Sequence, residues 1–434
     1  MGQSQAKPYR VTSVIASLTA GGIGPVCRYA AAGLARQTDW QVTLLCLHDP
    51  IGVVCDEATG LRIVSLGLDG NCARQFLLWL AANPQDIVIT SDVSHIEASF
   101  RFIPKETVHV IQMHDSLRRY RDVALRNHAW VDGVACVARY IEAPLRASLR
   151  QVGFHGVCDT VHNGAAFPPL PSALRPLPTD DCQLTTANSP FQVSGLASRP
   201  LRLLFMGRLD PFKGIFDLVP ILQRLDKMKV PVRLTIVGGR HELLARRFQQ
   251  KKLDQLVTWT GRVPHEDCYR LAAENDVFLM PSRQEPFGMV TIEAMSMGCV
   301  PVAYDTPSGS TEIIEAGQSG LLVPLGDFKA WAQTIRSLHC NRNRLGELAA
   351  GAIQRARGAF NAEIMASNLI AFLNQVIAQV ESRPSKRESG LPPETPSIHT
   401  RSAYGYQKLS PKWREWIRNQ IGVRPRLCYW WLNR

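Results

Sequence analysis

Between residues 10 and 165 short strand-like runs alternate with helix-like ones. Val11 to Ser17, Val42 to Leu47, Ile63 to Leu66, Ile87 to Thr90 and His109 to Met113 read as strands, and Pro25 to Arg36 as a helix. The alternation restarts at Leu201-Arg202-Leu203-Leu204-Phe205 and continues through Leu234 to Gly239, Val257 to Pro264, Val277 to Met280 and Val300 to Tyr304. Strands that alternate with helices form parallel sheets with right-handed crossovers. Ligands of such sheets gather at the carboxyl ends of the strands, so the loops that follow strands are where chemistry is expected. The 434 residues allow two or three domains with ample core, and no apolar run reaches membrane-spanning length.

Three of those loops carry chemistry-bearing residues. After Val277-Phe278-Leu279-Met280 comes Pro281, then a loop with Glu285-Pro286-Phe287-Gly288, then a helix from Gly288 to Met297 that includes Met289, Val290 and Glu293 and stops at Gly298. The N-terminus of that helix favours an anion such as phosphate. A carboxylate such as Glu285 or Glu293 accepts two hydroxyls at once, as recognition of a sugar or ribose requires. After Phe205 comes Gly207-Arg208-Leu209-Asp210-Pro211-Phe212-Lys213-Gly214, then a helix to about Met228. Arg208 offers a planar fork of donors to phosphate and Lys213 a compact point charge. After the first strand, Ala20-Gly21-Gly22-Ile23-Gly24-Pro25 opens a helix, either as a ligand loop or as a tight turn; Cys27 stands where the dinucleotide fingerprint needs glycine.

These segments resemble the retaining nucleotide-sugar glycosyltransferases of family 4 (group 1). The two glutamates in their Pro-Phe-Gly and Glu-Ala-Met frame, the Gly-Arg…Lys-Gly loop, the Gly309-Ser310-Thr311-Glu312 segment and Gly320 to Pro324 carry the likeness. It spans about residues 10–375. The resemblance implies an α/β fold of two Rossmann-like lobes facing a cleft (GT-B). The expected division is 1–167 as the acceptor lobe, 168–200 as a proline-rich linker, 201–360 as the nucleotide-sugar lobe, 361–381 as a helix returning to the first lobe, and 382–434 as a basic tail.

The resemblance also implies roles. Arg208 and Lys213 would stabilise the departing diphosphate, helped by helix amides after Phe287, with Gly207, Gly288, Met289 and Val290 close to the donor. Glu293 would hold the ribose, Glu285 would orient the sugar and His114, at the end of a strand, would contact its hydroxyls. Arg262 and Val263 would cup the base, and Gly22 would lie near donor and acceptor. The donor would be a nucleotide-diphosphate sugar, the acceptor a saccharide or lipid-linked saccharide, with no divalent metal and no nucleic acid. Val137-Ala138-Arg139-Tyr140 lacks the serine common in the family, which leaves the acceptor contacts open. A catalytically silent sugar-nucleotide-binding protein, a nucleotide-sugar epimerase and a glycosidase are the rival readings.

The eleven cysteines are scattered, odd in number and free of Cys-x-x-Cys pairs, which argues for a reducing cytosol and against a disulfide frame or zinc site. Residues 383–434 hold eleven Lys/Arg and three Asp/Glu, so +8 of the formal +12 lies there. Ser410-Pro411 reads as a helix start, with Trp413, Trp416, Ile417 and Ile421 on one face. Such a segment either packs on the body or lies against the anionic cytoplasmic membrane face, where Trp and basic residues are favoured. The membrane reading predicts that full-length protein floats with anionic vesicles, that a chain ending near Glu381 does not, and that salt shrinks the difference. Equal flotation of both chains overturns it.

Overall fold

The protein is described by a computed structural model at residues 8–19, 22–69, 72–171 and 199–381. Ala20 and Gly21 of the first glycine loop, most of the proline-rich linker and the tail with its expected helix lie outside the described residues. The described residues divide into two compact units, one up to residue 166 together with 362–381 and one from 167 to 361.

The first unit carries strands β1 (Arg10–Ile15), β2 (Gln41–Cys46), β3 (Gly52–Asp56), β4 (Leu61–Ser65), β5 (Ile87–Ser91), β6 (Val108–Met113), β7 (Gly133–Cys136) and β8 (Val157–Thr160). They form one sheet in the order β3-β4-β2-β1-β5-β6-β7-β8. Each neighbouring pair is parallel except β3 with β4. The antiparallel β3 was not read from the sequence. It is an edge strand whose Val53 and Val54 are exposed, so it has no core-facing signature. Helix α1 (Ile23–Gln37) starts two residues earlier than expected, with Pro25 in its first turn. There its missing N–H costs no hydrogen bond. Among the other helices here are α2 (Cys72–Ala82), α3 (Arg118–Arg126) and α4 (Arg139–Gln151).

The last described helix, α12 (Ala362–Val380), belongs to this first unit. Its apolar stripe of Leu369, Phe372, Leu373 and Val376 is buried, and it packs along α1. A Cβ on Gly33 of α1 would lie 2.3 Å from the Ala366 Cβ, so the two backbones approach as closely as glycine permits.

The second unit carries β9 (Leu201–Met206), β10 (Val232–Val237), β11 (Val257–Gly261), β12 (Val277–Met280), β13 (Val300–Asp305) and β14 (Leu321–Pro324). All neighbours are parallel, in the order β11-β10-β9-β12-β13-β14. Numbered within the unit this is 3-2-1-4-5-6, the doubly wound order. Helices α5 (Leu218–Lys227), α6 (Glu242–Gln250), α7 (His265–Glu274), α8 (Met289–Ser296), α9 (Gly309–Ile313), α10 (Phe328–Cys340) and α11 (Arg342–Ala359) complete it. β9, β12 and β13 are almost wholly buried and read as continuous apolar runs, which is why they were legible. No helix among the described residues is long and apolar enough to cross a membrane.

One buried polar knot ties this unit together. Asp217 accepts from Tyr304 Oη at 2.7 Å and from Arg283 Nη2 at 3.0 Å. Burial raises the Asp217 carboxyl, while the Arg283 charge and the two hydrogen bonds act to lower it. Removing one member of a buried pair strands the other charge. We expect Asp217→Ala to lower stability by about 3–5 kcal/mol in urea unfolding. A loss below about 0.5 kcal/mol would show that the knot is not structural.

Candidate active site

In the second unit β9 and β12 are neighbours at the point where strand order reverses, and crevices form at such points. The loop that leaves β9 carries Gly207 and Arg208. Asp210 Oδ1 accepts the Phe212 N–H at 3.0 Å and starts a single 3-10 turn, Pro211–Lys213. Gly214 then takes φ 69°, and a Cβ there would sit 1.8 Å from the Pro281 carbonyl oxygen. Only glycine lets this loop lie against the end of β12.

The contact places Lys213 Nζ 2.7 Å from Glu285 Oε2. Glu285 is buried and Lys213 half-buried. The Arg283 N–H donates to the Phe212 carbonyl at 3.2 Å, a second tie between the same loops. Arg208 is exposed and makes no ion pair among the described residues. It remains available to a ligand anion.

Gly288 caps α8 at φ 111°. Phe287 is buried, edge-on to Phe360 at 5.7 Å. The first-turn N–H groups of α8, at Met289 and Val290, precede any intrahelical acceptor. Glu293 is buried in the second turn, with Oε1 2.9 Å from His265 Nε2. His265 opens α7 directly after Arg262, which is exposed, and Val263, which is half-buried. One hydrogen bond thus joins the helix of Glu293 to the loop after β11.

Two expected residues lie in the first unit. Gly22 is the N-cap of α1. His114 is buried just beyond β6, with Nε2 3.6 Å from Cys27 Sγ and its N–H 3.3 Å from Asp92 Oδ1. Burial lowers the His114 imidazole to about 4. It is therefore neutral near pH 7, and stability that it contributes is lost as pH falls from its ordinary 6.5 toward 4.

The structure thus brings Lys213 and Glu285 into direct contact in the second unit and places His114 and Gly22 in the first. Three residues escaped the sequence reading. His265 could have been found as the first helical residue after the loop with Arg262 and Val263. Asp217 lies inside an apolar run, and its partners are 66 and 87 residues away, so nothing local marks it. Asp92 directly follows β5 with φ 50°, rare for a residue other than glycine, and burial holds its carboxyl well above the usual range.

Residues 188–358 match the family model described as glycosyl transferases group 1. That match covers less than half of the chain and marks its second unit as similar to the group 1 glycosyltransferases. The glycogen synthase of Mycobacterium tuberculosis is 24% identical over 314 residues, 71% of this chain and 70% of that protein. Among solved structures, sucrose-phosphate synthase from Thermosynechococcus elongatus superposes with a TM-score of 0.67 at 20% identity, covering 85% of this chain and 99% of that one. Anabaena HepE, solved with UDP and glucose, gives 0.62 at 17% identity over 84% of this chain and 99% of that one. At such identities the structural likeness speaks for the fold, two parallel-sheet units of the GT-B kind, and the family match for the enzyme class.

The His265–Glu293 contact carries a pH signature. The hydrogen bond to Glu293 raises the His265 imidazole above its ordinary 6.5, burial opposes this, and the charges of Glu293 and Glu266 add to it. The stability that this contact contributes is complete below 6.5 and is lost as pH rises through the raised folded value. The His265 ring signal in an NMR titration is expected above 6.5 in the native protein and lower in Glu293→Gln. Titration at or below 6.5 with Glu293 intact would overturn the pairing.

Proposed function

We propose that this glycosyltransferase moves a sugar from a nucleotide-diphosphate donor to a saccharide hydroxyl, with retention at the anomeric carbon and without a metal at the diphosphate. The Lys213–Glu285 contact at the carboxyl ends of β9 and β12 carries the reading. A cation for the diphosphate and a carboxylate for the sugar are joined there, beside the amide end of α8. A glycosidase has no need of Arg208 and Lys213 in such a frame.

As the bond to the anomeric carbon breaks, negative charge grows on the leaving diphosphate. Arg208, Lys213 and the first amides of α8 supply preorganised positive charge for it, the kind of stabilisation that is usually the largest catalytic contribution. Glu293 holds the ribose hydroxyls, with His265 fixing its orientation. Glu285, held by Lys213, accepts hydrogen bonds from the transferred sugar, and Arg262 and Val263 flank the base. The departing phosphate takes the acceptor's proton, so no dedicated base is required. His114, neutral, is suited to hydroxyls rather than to phosphate charge.

The relatives support a role in glycan or saccharide synthesis, and uracil is the first base to test, given the UDP bound to HepE. The acceptor is proposed to be a saccharide or a lipid-linked saccharide, met in the cytoplasm or, through residues 410–434, at the inner membrane face.

Arg208→Ala or Lys213→Ala is expected to lower turnover by about 10²-fold, the scale of losing one transition-state charge partner. Glu293→Gln should weaken binding of free UDP in calorimetry, whereas Glu285→Gln should spare that binding and cut transfer. Near-normal turnover in both cation variants, or the reverse calorimetric pattern, overturns these roles.

A further inference from the structure

Beyond the transfer site, the carboxyl edge of the first sheet holds a second group of chemistry-bearing side chains. His48 follows β2, Cys72 opens α2, and His95 lies in the 3-10 segment Ser94–Phe102 after β5. Their ligand atoms all lie within 4.8 Å of one another. The two ring Nε2 atoms are 3.1 Å apart. His48 Nδ1 stands 2.9 Å from the Leu68 carbonyl oxygen. Only a protonated Nδ1 can donate there, so the neutral His48 ring presents the lone pair of Nε2 to His95 and Cys72. A carbonyl that fixes the tautomer in this way is the usual outer partner of a metal-bound histidine.

We propose that His48, His95 and Cys72 bind a borderline-soft divalent ion of the zinc class. Two nitrogens bound to a tetrahedral zinc lie about 3.3 Å apart, given metal–nitrogen distances of about 2.0–2.1 Å. The 3.1 Å pair needs almost no adjustment to share an ion. Two imidazoles and a thiolate exclude calcium and magnesium, which select oxygen ligands. Three protein ligands leave one tetrahedral position for water or an anionic oxygen. His48 is exposed and Cys72 buried, so the ion has a path from solvent and the thiol is shielded from it. The ion would clip the loop after β2 to the start of α2 and to the segment after β5. Spacings of 24 and 23 residues conceal the group from any short motif, and the scattered cysteines had argued against zinc.

The rival reading is a plain hydrogen bond between two histidines beside an unrelated thiol. Full-length protein stripped with a chelator and titrated with Co²⁺ separates the two. The wild type is expected to take up one ion per chain, with a thiolate-to-cobalt charge-transfer absorption, and Zn²⁺ should displace it and raise the melting temperature. Cys72→Ser should abolish that absorption. His48→Ala, at an exposed position, should weaken uptake by at least about tenfold, the lower range seen even for outer partners of metal ligands. Undiminished absorption in Cys72→Ser, or uptake by His48→Ala equal to wild type, overturns the proposal.

Discussion

A buried carboxylate must be paired, and in the second unit that requirement links the two loops that matter. Glu285 is held out of water by the fold and meets Lys213 at 2.7 Å. The pair exists because β9 and β12 are neighbours while β10 and β11 lie on the other side of β9. A reversal of strand order parts the helices on either side and leaves the strand ends open. Two strands that are 70 residues apart in the chain thereby present their loops to each other. Asp217 does the same from beneath. Arg283 and Tyr304 reach it from the loop after β12 and from β13, so the backbone that carries Glu285 is anchored to the segment that carries Lys213.

This arrangement also explains how the site can stay poised before a ligand arrives. Lys213 and His265 engage the glutamates read as sugar and ribose partners. A carboxylate with a fixed partner has fewer orientations to lose when hydroxyls bind, which is the advantage of preorganisation. Arg208 is the exception, exposed and without an ion pair among the described residues. Its charge is available to phosphate at no cost of breaking an internal contact.

The first unit uses the same architecture differently. Its reversal lies between β1 and β5, and His114, Asp92 and His95 follow β6 and β5 there, with Cys27 on α1 against His114. Burial drives that chemistry. It lowers imidazoles and raises the thiol of Cys27, to about 12, and the Asp92 carboxyl.

Local pattern alone marked most strands of the two sheets and the helix at residues 361–380, because buried parallel strands and amphipathic helices write their periods into the sequence. The Gly207 to Gly214 and Glu285 to Gly298 frames were legible for a similar reason. A loop pressed against a neighbouring strand admits only glycine at Gly214, and a helix start in the left-handed region strongly favours it at Gly288. The antiparallel β3, the His265–Glu293 bond, the Asp217 knot and the meeting of His48, Cys72 and His95 were decided by tertiary structure. Each joins residues that no local period relates, or lies on an edge where neither face is fully buried. Which loops face each other depends on strand order, and strand order is set by how the helices cover the sheet as a whole.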